Sequence, residues 1–454
     1  MHNALCIIFS FLHSYIPTFF STFAFEMKKF ARYICVLLLL IGSIPAWAQR
    51  PGVMPDSLPA KAQADENDEW DNGINLYIDS LIPWEESLRL QLDKLMEHSL
   101  LETSQIGLMV WDLDADSCLY KRGERQRLRP ASTLKVLTAI TALDCLGADY
   151  RFATELRSKG EVTENADSTR TFRGNLYCIG GLDPKFGKND MQTFVSAVTA
   201  MKVDSIIGTI YADLSFKDDK LLGEGWCWDD DNPSLSPLLL GRKNVFKETF
   251  HSQLREGKTV LWANSTEGAA PKGTELLCRV EHTMDDILGP MLKKSDNLYA
   301  EAMFYQIAHR RKGSGASASD GRNQIYETMR KAGLTTAPYY IADGSGLSLY
   351  TYVTAQAETM MLRYAYGKPE IYEPLYRALP IAGVDGTLAS RMKGSATKSN
   401  VRAKTGTVTG VSSLAGYCRG GNGHQLCFSI INQGIKSSSD GRNFQDAICA
   451  LLCR

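Results

Sequence analysis

The sequence predicts an α+β protein in which one large domain is interrupted by a β-rich inserted domain. Three observations predict this. Apolar residues recur at helical spacing over 76–103 and again from Met284 onward. Between them, short alternating runs are punctuated by Gly, Asn and Asp. The chain then closes on adjoining strand-like runs and one amphipathic helix, "RNFQDAICALLCR". With 454 residues, 44% of them hydrophobic, the chain can bury more than one core. A net charge of -1 gives no basic excess for nucleic acid and no acidic tail.

Taken in order, residues 1–48 read as a targeting region. From Met27 the chain runs "MKKFARYICVLLLLIGSIPAWAQR", with a positive start, an apolar run and a small-residue cleavage site at Ala46-Trp47-Ala48. Met27 is the expected initiator, and a membrane anchor fits less well because Pro17 precedes a second signal-like run. Residues 49–75, including the charged "ADENDEWDNG", read as a linker. A helix broken at Pro83 follows, then two strands, "QIGLMVWDLDADSCLYKRGE", joined by an "LDADS" turn. The insert occupies 155–275, and the main domain occupies 76–154 and 276–454. Cys418 and Cys427 flank a hairpin-like turn, but an odd count of nine cysteines beyond the targeting region forbids complete pairing. Seven histidines form no metal-ligand pattern, so neither metal nor cofactor is expected.

The chemistry is carried by "RLRPASTLKVLTAITALDCL". Ser132 and Lys135 stand at i and i+3, on one face of a helix about to become buried. A serine hydroxyl is a weak nucleophile and needs a base. Lysine, with an ordinary pKa of about 10.4, serves only if burial and positive potential disfavour its charge. The apolar continuation "VLTAITAL" provides that burial. A second match, Ser395 to Lys398, lies in a polar turn-like stretch and is read as chance. Ser295-Asp296-Asn297 and Lys404-Thr405-Gly406 follow in order. Ser295 can relay a proton to a leaving amine, Asn297 can bond to Lys135 and a substrate amide, and Lys404 offers positive charge to a carboxylate. Gly406 lets backbone approach closely.

The ordered set S-x-x-K, S-D-N, K-T-G is the signature of penicillin-binding proteins and class A β-lactamases. With "LKKSDN", "IADGSGLS", "LPIAGVDGTL" and "AKTGT", the chain resembles the class C low-molecular-mass penicillin-binding proteins, the D-alanyl-D-alanine carboxypeptidase/endopeptidase family. The resemblance implies a β-lactamase/transpeptidase-like serine acyltransferase domain with an inserted domain. It implies Ser132 as nucleophile, Lys135 as base, and Ser295 and Asn297 in the proton network. Lys404, Thr405 and Thr407 are expected to bind the terminal carboxylate. Backbone N–H groups of Ser132 and Thr407 are expected to form the oxyanion hole. The implied partners are peptidoglycan peptides and, as inhibitors, β-lactams, acted on outside the cytoplasm in the periplasm or cell envelope.

Two departures shape the expectation. "GRKNVFKETFHSQL" leaves little room for the extra domain that relatives nest in the insert. Relatives acting on diaminopimelate carry an arginine after "DGSGLS", where this chain has Leu349; Asp213 is matched to an acidic residue near the same pocket. The rival readings are a β-lactamase or esterase on the same scaffold, and a peptidoglycan-sensing module without catalysis.

Overall fold

A computed structural model describes residues 82–229, 232–257 and 260–454. The targeting region, the linker and the start of the first predicted helix lie outside the described residues. Helix α1 (Trp84–Leu95) starts directly after Pro83, whose fixed φ suits a helix entry, and buries Leu88 and Leu92 one turn apart. Strands β1 (Gln105–Asp112) and β2 (Ser117–Arg122) form the predicted hairpin. Its turn closes because Asp112 Oδ1 accepts the amides of Asp114 and Ala115, at 3.0 and 2.9 Å.

These two strands join β8 (Arg402–Val408), β9 (Val411–Arg419) and β10 (Gln425–Gln433) in an antiparallel sheet of order β2-β1-β10-β9-β8. Both faces of the sheet are covered. Leu414, Leu426, Phe428 and Ile430 pack toward α1 and the last helix, α10 (Ser438–Leu452). Ala415, Tyr417, Cys427 and Ile431 pack toward the main helical layer. That two-sided burial explains why β9 and β10 read as nearly unbroken apolar runs. It also separates Cys418 from Cys427: they lie in cores on opposite faces, and both are free thiols.

The helical layer is built around α2 (Leu134–Leu146), whose residues 134–143 are all buried. A helix apolar all round must be enclosed, and α2 is packed by α5 (Met284–Lys293), α6 (Asn297–Lys312), α7 (Ala318–Lys331), α8 (Ala355–Tyr366) and α9 (Pro369–Ala378). The predicted continuous helix from Met284 is two helices, broken at Lys294–Asp296. Ser295 there has φ 61°, a left-handed conformation no helix interior contains.

The insert has its own five-stranded sheet, order β6-β5-β4-β3-β7. Strands β4 (Arg170–Ile179), β5 (Ser205–Asp213) and β6 (Val260–Glu267) are parallel, whereas β3 (Arg151–Glu164) pairs antiparallel with β4 and with β7 (Glu275–Thr283). Parallel neighbours need crossovers, and two helices that the sequence analysis did not mark supply them: α3 (Lys188–Ala200) and α4 (Phe246–Glu256). Their apolar faces meet through Phe186, Phe194, Phe246 and Phe250, with ring centroids 5.2–6.2 Å apart. The sheet runs from Arg151 to Thr283, which pair with each other, so the sequence boundaries of 155 and 275 cut through β3 and β7. The segment between β5 and α4 leaves the insert and lies along the larger domain: Phe216 stacks on His309 at 4.2 Å, and Trp226 Nε1 donates to Asp343 at 3.0 Å. Among the described residues no helix is long and apolar enough to cross a membrane.

The aromatic cluster gives the insert a core separate from α2. Phe194→Ala is expected to destabilise the insert by about 3–5 kcal/mol, the range for a buried Phe truncation. A urea titration followed by hydrogen exchange will find β4 and β5 losing protection first, while α2 keeps wild-type protection.

Candidate active site

Ser132 sits in a single 3₁₀ turn, Ala131–Thr133, and regular α-helix begins only at Leu134. Ala131 has φ 49°, so the chain enters the turn through a strained residue. The turn is held from below. Thr133 Oγ1 lies 2.6 Å from Glu358 Oε1 and 2.8 Å from the Pro130 carbonyl oxygen, and Ser429 Oγ donates to Glu358 Oε2 at 2.6 Å. Burial pushes the Glu358 carboxyl up to about 7.

Lys135 is fully buried although Ser132 is only half-buried. Its Nζ lies 2.9 Å from Ser132 Oγ, 2.8 Å from Asn297 Oδ1 and 2.8 Å from the Ser345 carbonyl oxygen. Loss of water lowers its pKa to about 8, against opposing pulls from Asp343, Glu301 and Asp296. At pH 7 roughly one Lys135 in ten is neutral, against fewer than about one in a thousand for an ordinary lysine.

The S-D-N motif occupies the break between α5 and α6. Asp296 is the N-cap of α6, accepting the Tyr299 amide at 3.3 Å, and Arg242 from the insert forms an ion pair with its carboxylate. The left-handed Ser295 turns its hydroxyl toward β8, where Lys404 Nζ approaches it at 2.9 Å. Lys404 is fully buried and also donates to the Thr405 carbonyl at 2.6 Å. Burial, with Lys135 nearby, holds its amine well below the usual lysine range. The four side chains thus form two Ser–Lys pairs, Ser132–Lys135 and Ser295–Lys404, with Asn297 bonded to the first.

Gly406 brings β8 against the nucleophile. A Cβ there would lie 2.9 Å from the Ser132 amide nitrogen, 2.7 Å from the Pro130 carbonyl oxygen and 2.1 Å from Ser413 Oγ. Thr407 follows, exposed, and Thr405, half-buried, donates to Thr387 Oγ1 at 2.8 Å. The amides proposed for an oxyanion hole therefore belong to segments in van der Waals contact.

Two expectations gain a structural setting that the sequence did not supply. Asp213 ends β5 and accepts the Ser215 and Ala270 amides, at 2.9 and 2.7 Å; it is buried and holds the insert's own loops. Its matched sequence context is a strand end, where an Asp more often ties down a turn. Lys404 is directed to Ser295 rather than presented to solvent, because its stem runs inward from β8. Leu349 is exposed, its amide donating to the Gly225 carbonyl at 3.2 Å. Ser395 and Lys398 are both exposed in a turn, without a buried helix behind them. Sequence reasoning passed over Glu301, Glu358 and Arg242. Glu301 alone had a local signal, four residues after Asn297 on the same helical face.

A serine held against a buried lysine, with a second Ser–Lys pair and a glycine strand closing the other side, is an arrangement suited to serine acyl transfer. The chain belongs to the D-Ala-D-Ala carboxypeptidase 3 (S13) family, whose pattern matches residues 88–240 and 241–454. It is 28% identical, over a 463-residue alignment, to a D-alanyl-D-alanine carboxypeptidase of Actinomadura sp. (strain R39), covering 80% of this chain and 84% of that one. It is 24% identical to D-alanyl-D-alanine carboxypeptidase DacB of Haemophilus influenzae, covering 73% and 86%. The crystal structure of penicillin binding protein 4 (dacB) from Haemophilus influenzae shares the fold, with a TM-score of 0.74 at 21% identity, over 80% of this chain and 99% of that one. The protein is a serine hydrolase of this family.

Gly406→Ala places a methyl group against the Ser132 amide and Ser413. Loss of an oxyanion-hole donor costs about 10²–10³ in rate. Acylation by a fluorescent penicillin, timed by quench and gel, is expected to slow by about that factor with the thermal midpoint lowered only modestly.

Proposed function

We propose that the protein is a D-Ala-D-Ala carboxypeptidase of peptidoglycan peptides, acting through an acyl-enzyme on Ser132, with DD-endopeptidase cleavage of D-alanyl cross-links as a second use of the same chemistry. The observation that carries the reading is Lys135 Nζ, buried and 2.9 Å from the half-exposed Ser132 Oγ. Neutral Lys135 takes the Ser132 proton as Oγ attacks the carbonyl of the penultimate D-alanine. The oxyanion forms between the Ser132 and Thr407 amides. The C–N bond breaks and the leaving amine takes a proton through Ser295. Water then releases the acyl group by the reverse proton path.

The terminal carboxylate of the substrate is assigned to the Thr405 and Thr407 hydroxyls, with Lys404 behind them bonded to Ser295. β-Lactams present a carboxylate and a strained amide in the same relation, so they acylate Ser132 and leave slowly. A side-chain carboxylate at the third peptide position meets apolar Leu349, which supplies no hydrogen-bond donor. The lysine-rich, apolar, Ala-Trp-Ala sequence from Met27 supports export to the periplasm or cell envelope, where this substrate resides.

Ser132→Ala is expected to abolish labelling by fluorescent penicillin, and Ser395→Ala to leave it intact. Incubated with purified muropeptides, the wild-type protein is expected to release D-alanine from pentapeptides, read as a mass loss. Labelling that survives Ser132→Ala contradicts the nucleophile. A labelled protein that leaves every muropeptide unchanged supports the sensing module, and rapid loss of the label with hydrolysed penicillin supports the β-lactamase.

A further inference from the structure

The Lys135 amine needs more than burial to act on Ser132. It needs its one lone pair aimed at Oγ. Its three neighbours are not equivalent. Asn297 Oδ1 and the Ser345 carbonyl oxygen can only accept hydrogen bonds, whereas Ser132 Oγ can accept or donate. Neutral Lys135 has two N–H bonds and one lone pair. If both acceptors stay in place they take the two N–H bonds, and the lone pair is left facing Ser132. Remove either acceptor and the amine can rotate its lone pair away.

The Ser345 carbonyl belongs to the loop "DGSGLS", and a side chain of α6 holds the start of that loop. Glu301 lies one helical turn after Asn297 and is buried. Its Oε1 accepts the amides of Gly344 and Ser345, at 3.0 and 2.8 Å. The Gly344 carbonyl is in turn bonded by Thr138 Oγ1 at 2.7 Å, one turn after Lys135. The peptide plane between these anchors cannot rotate without breaking one of them. The loop also has no room to retreat: a Cβ on Gly346 would lie 1.8 Å from the Ala131 carbonyl oxygen, and one on Gly344 would lie 2.4 Å from Phe304 Cβ.

We propose that Glu301 is a positioning residue for the Lys135 base: by holding the Gly344–Ser345 peptide it sets Ser345, whose carbonyl, in the next peptide plane and steadied there by the Gly346 N–H bond to Asp343 at 3.2 Å, fixes the rotational state of the Lys135 amine. The inference rests on Lys135 being the base. The charged groups around the pair are Asp343 of the loop, Asp296 at the start of α6 and Lys404 on β8. Burial and Asp343 raise the Glu301 carboxyl, and its hydrogen bonds go to two loop amides rather than to a cation, so it works as an acceptor array.

That distinction sets the test. The rate of Ser132 acylation by a fluorescent penicillin is measured from pH 5.5 to 10 on the full chain, per active site titrated at long times. Glu301→Gln keeps an acceptor oxygen and is expected to match wild type in the high-pH plateau. Glu301→Ala frees the loop peptide, and the plateau is expected to fall ten- to a hundredfold, since displacing a catalytic group by about 1 Å costs up to that much. Its half-maximal pH is expected to move down, because the Lys135 ammonium has lost an acceptor. A residue needed only for folding would lower the titrated fraction and leave both readouts alone. Thr138→Val, which frees the same peptide from the other side, guards against a Glu301→Ala chain that does not fold; a smaller fall with the same downward shift is expected. Unchanged rate and half-maximal pH in Glu301→Ala or Thr138→Val overturn the proposal, as does a Glu301→Gln variant as impaired as Glu301→Ala. A wild-type chain that never labels at Ser132 overturns the acyl-enzyme reading itself, which separates the two failures.

Discussion

A lysine side chain cut off from water must lose part of its basicity or be held by opposite charge, and in Lys135 both tendencies are present and the first prevails. Desolvation is the largest influence on it, while Asp343, Glu301 and Asp296 pull the other way from a distance. No carboxylate oxygen is among its three hydrogen-bond partners. Much of the larger domain follows from this constraint. Helix α2 has to be enclosed on all sides, which takes five helices and a sheet. Yet Ser132 is only half-buried, because the chain enters α2 through a 3₁₀ turn just where Ser132 sits. Ser132 is thus at the edge of the core and Lys135 within it, three residues apart.

The second Ser–Lys pair obeys the same rule from the other side of the cleft. Lys404 comes from a sheet strand and Ser295 from a break between helices, so no local pattern links them. Their contact depends on the left-handed turn at Ser295, which is held by Asp296 capping α6 and by the Asp296 and Lys294 amides, which both reach the Pro290 carbonyl. Arg242 of the insert pairs with Asp296 and so ties the insert to that turn. Trp226 does the same for the "DGSGLS" loop through Asp343. The insert is therefore not a passenger: two of its side chains contact the supports of the catalytic groups.

How much of this could be read from sequence depends on the range of the interaction. The Ser132–Lys135 relation was legible because one helical turn fixes it and "VLTAITAL" announces the burial. The first hairpin was legible because Asp112 and its turn are contiguous. The insert's helices were not, because α3 and α4 are short and amphipathic within a stretch rich in turn residues, and only the parallel pairing of β4, β5 and β6 requires them. The inward path of Lys404, the structural use of Asp213 and the acceptor role of Glu301 all depend on contacts with residues distant in sequence, for which composition and periodicity hold no signal. Leu349 shows the converse: a motif's neighbour can be read as a missing arginine, and the structure adds only that the position is exposed.

The central claim is that burial makes Lys135 a base at near-neutral pH. The most direct measurement is the titration of its side chain itself, by NMR of protein labelled with ¹³C and ¹⁵N in lysine, with the signal assigned by comparison with Lys135→Met. A midpoint near 8, moving when penicillin acylates Ser132, is the result the structure predicts. A Lys135 signal that stays protonated to above pH 10, like an ordinary lysine, would contradict it.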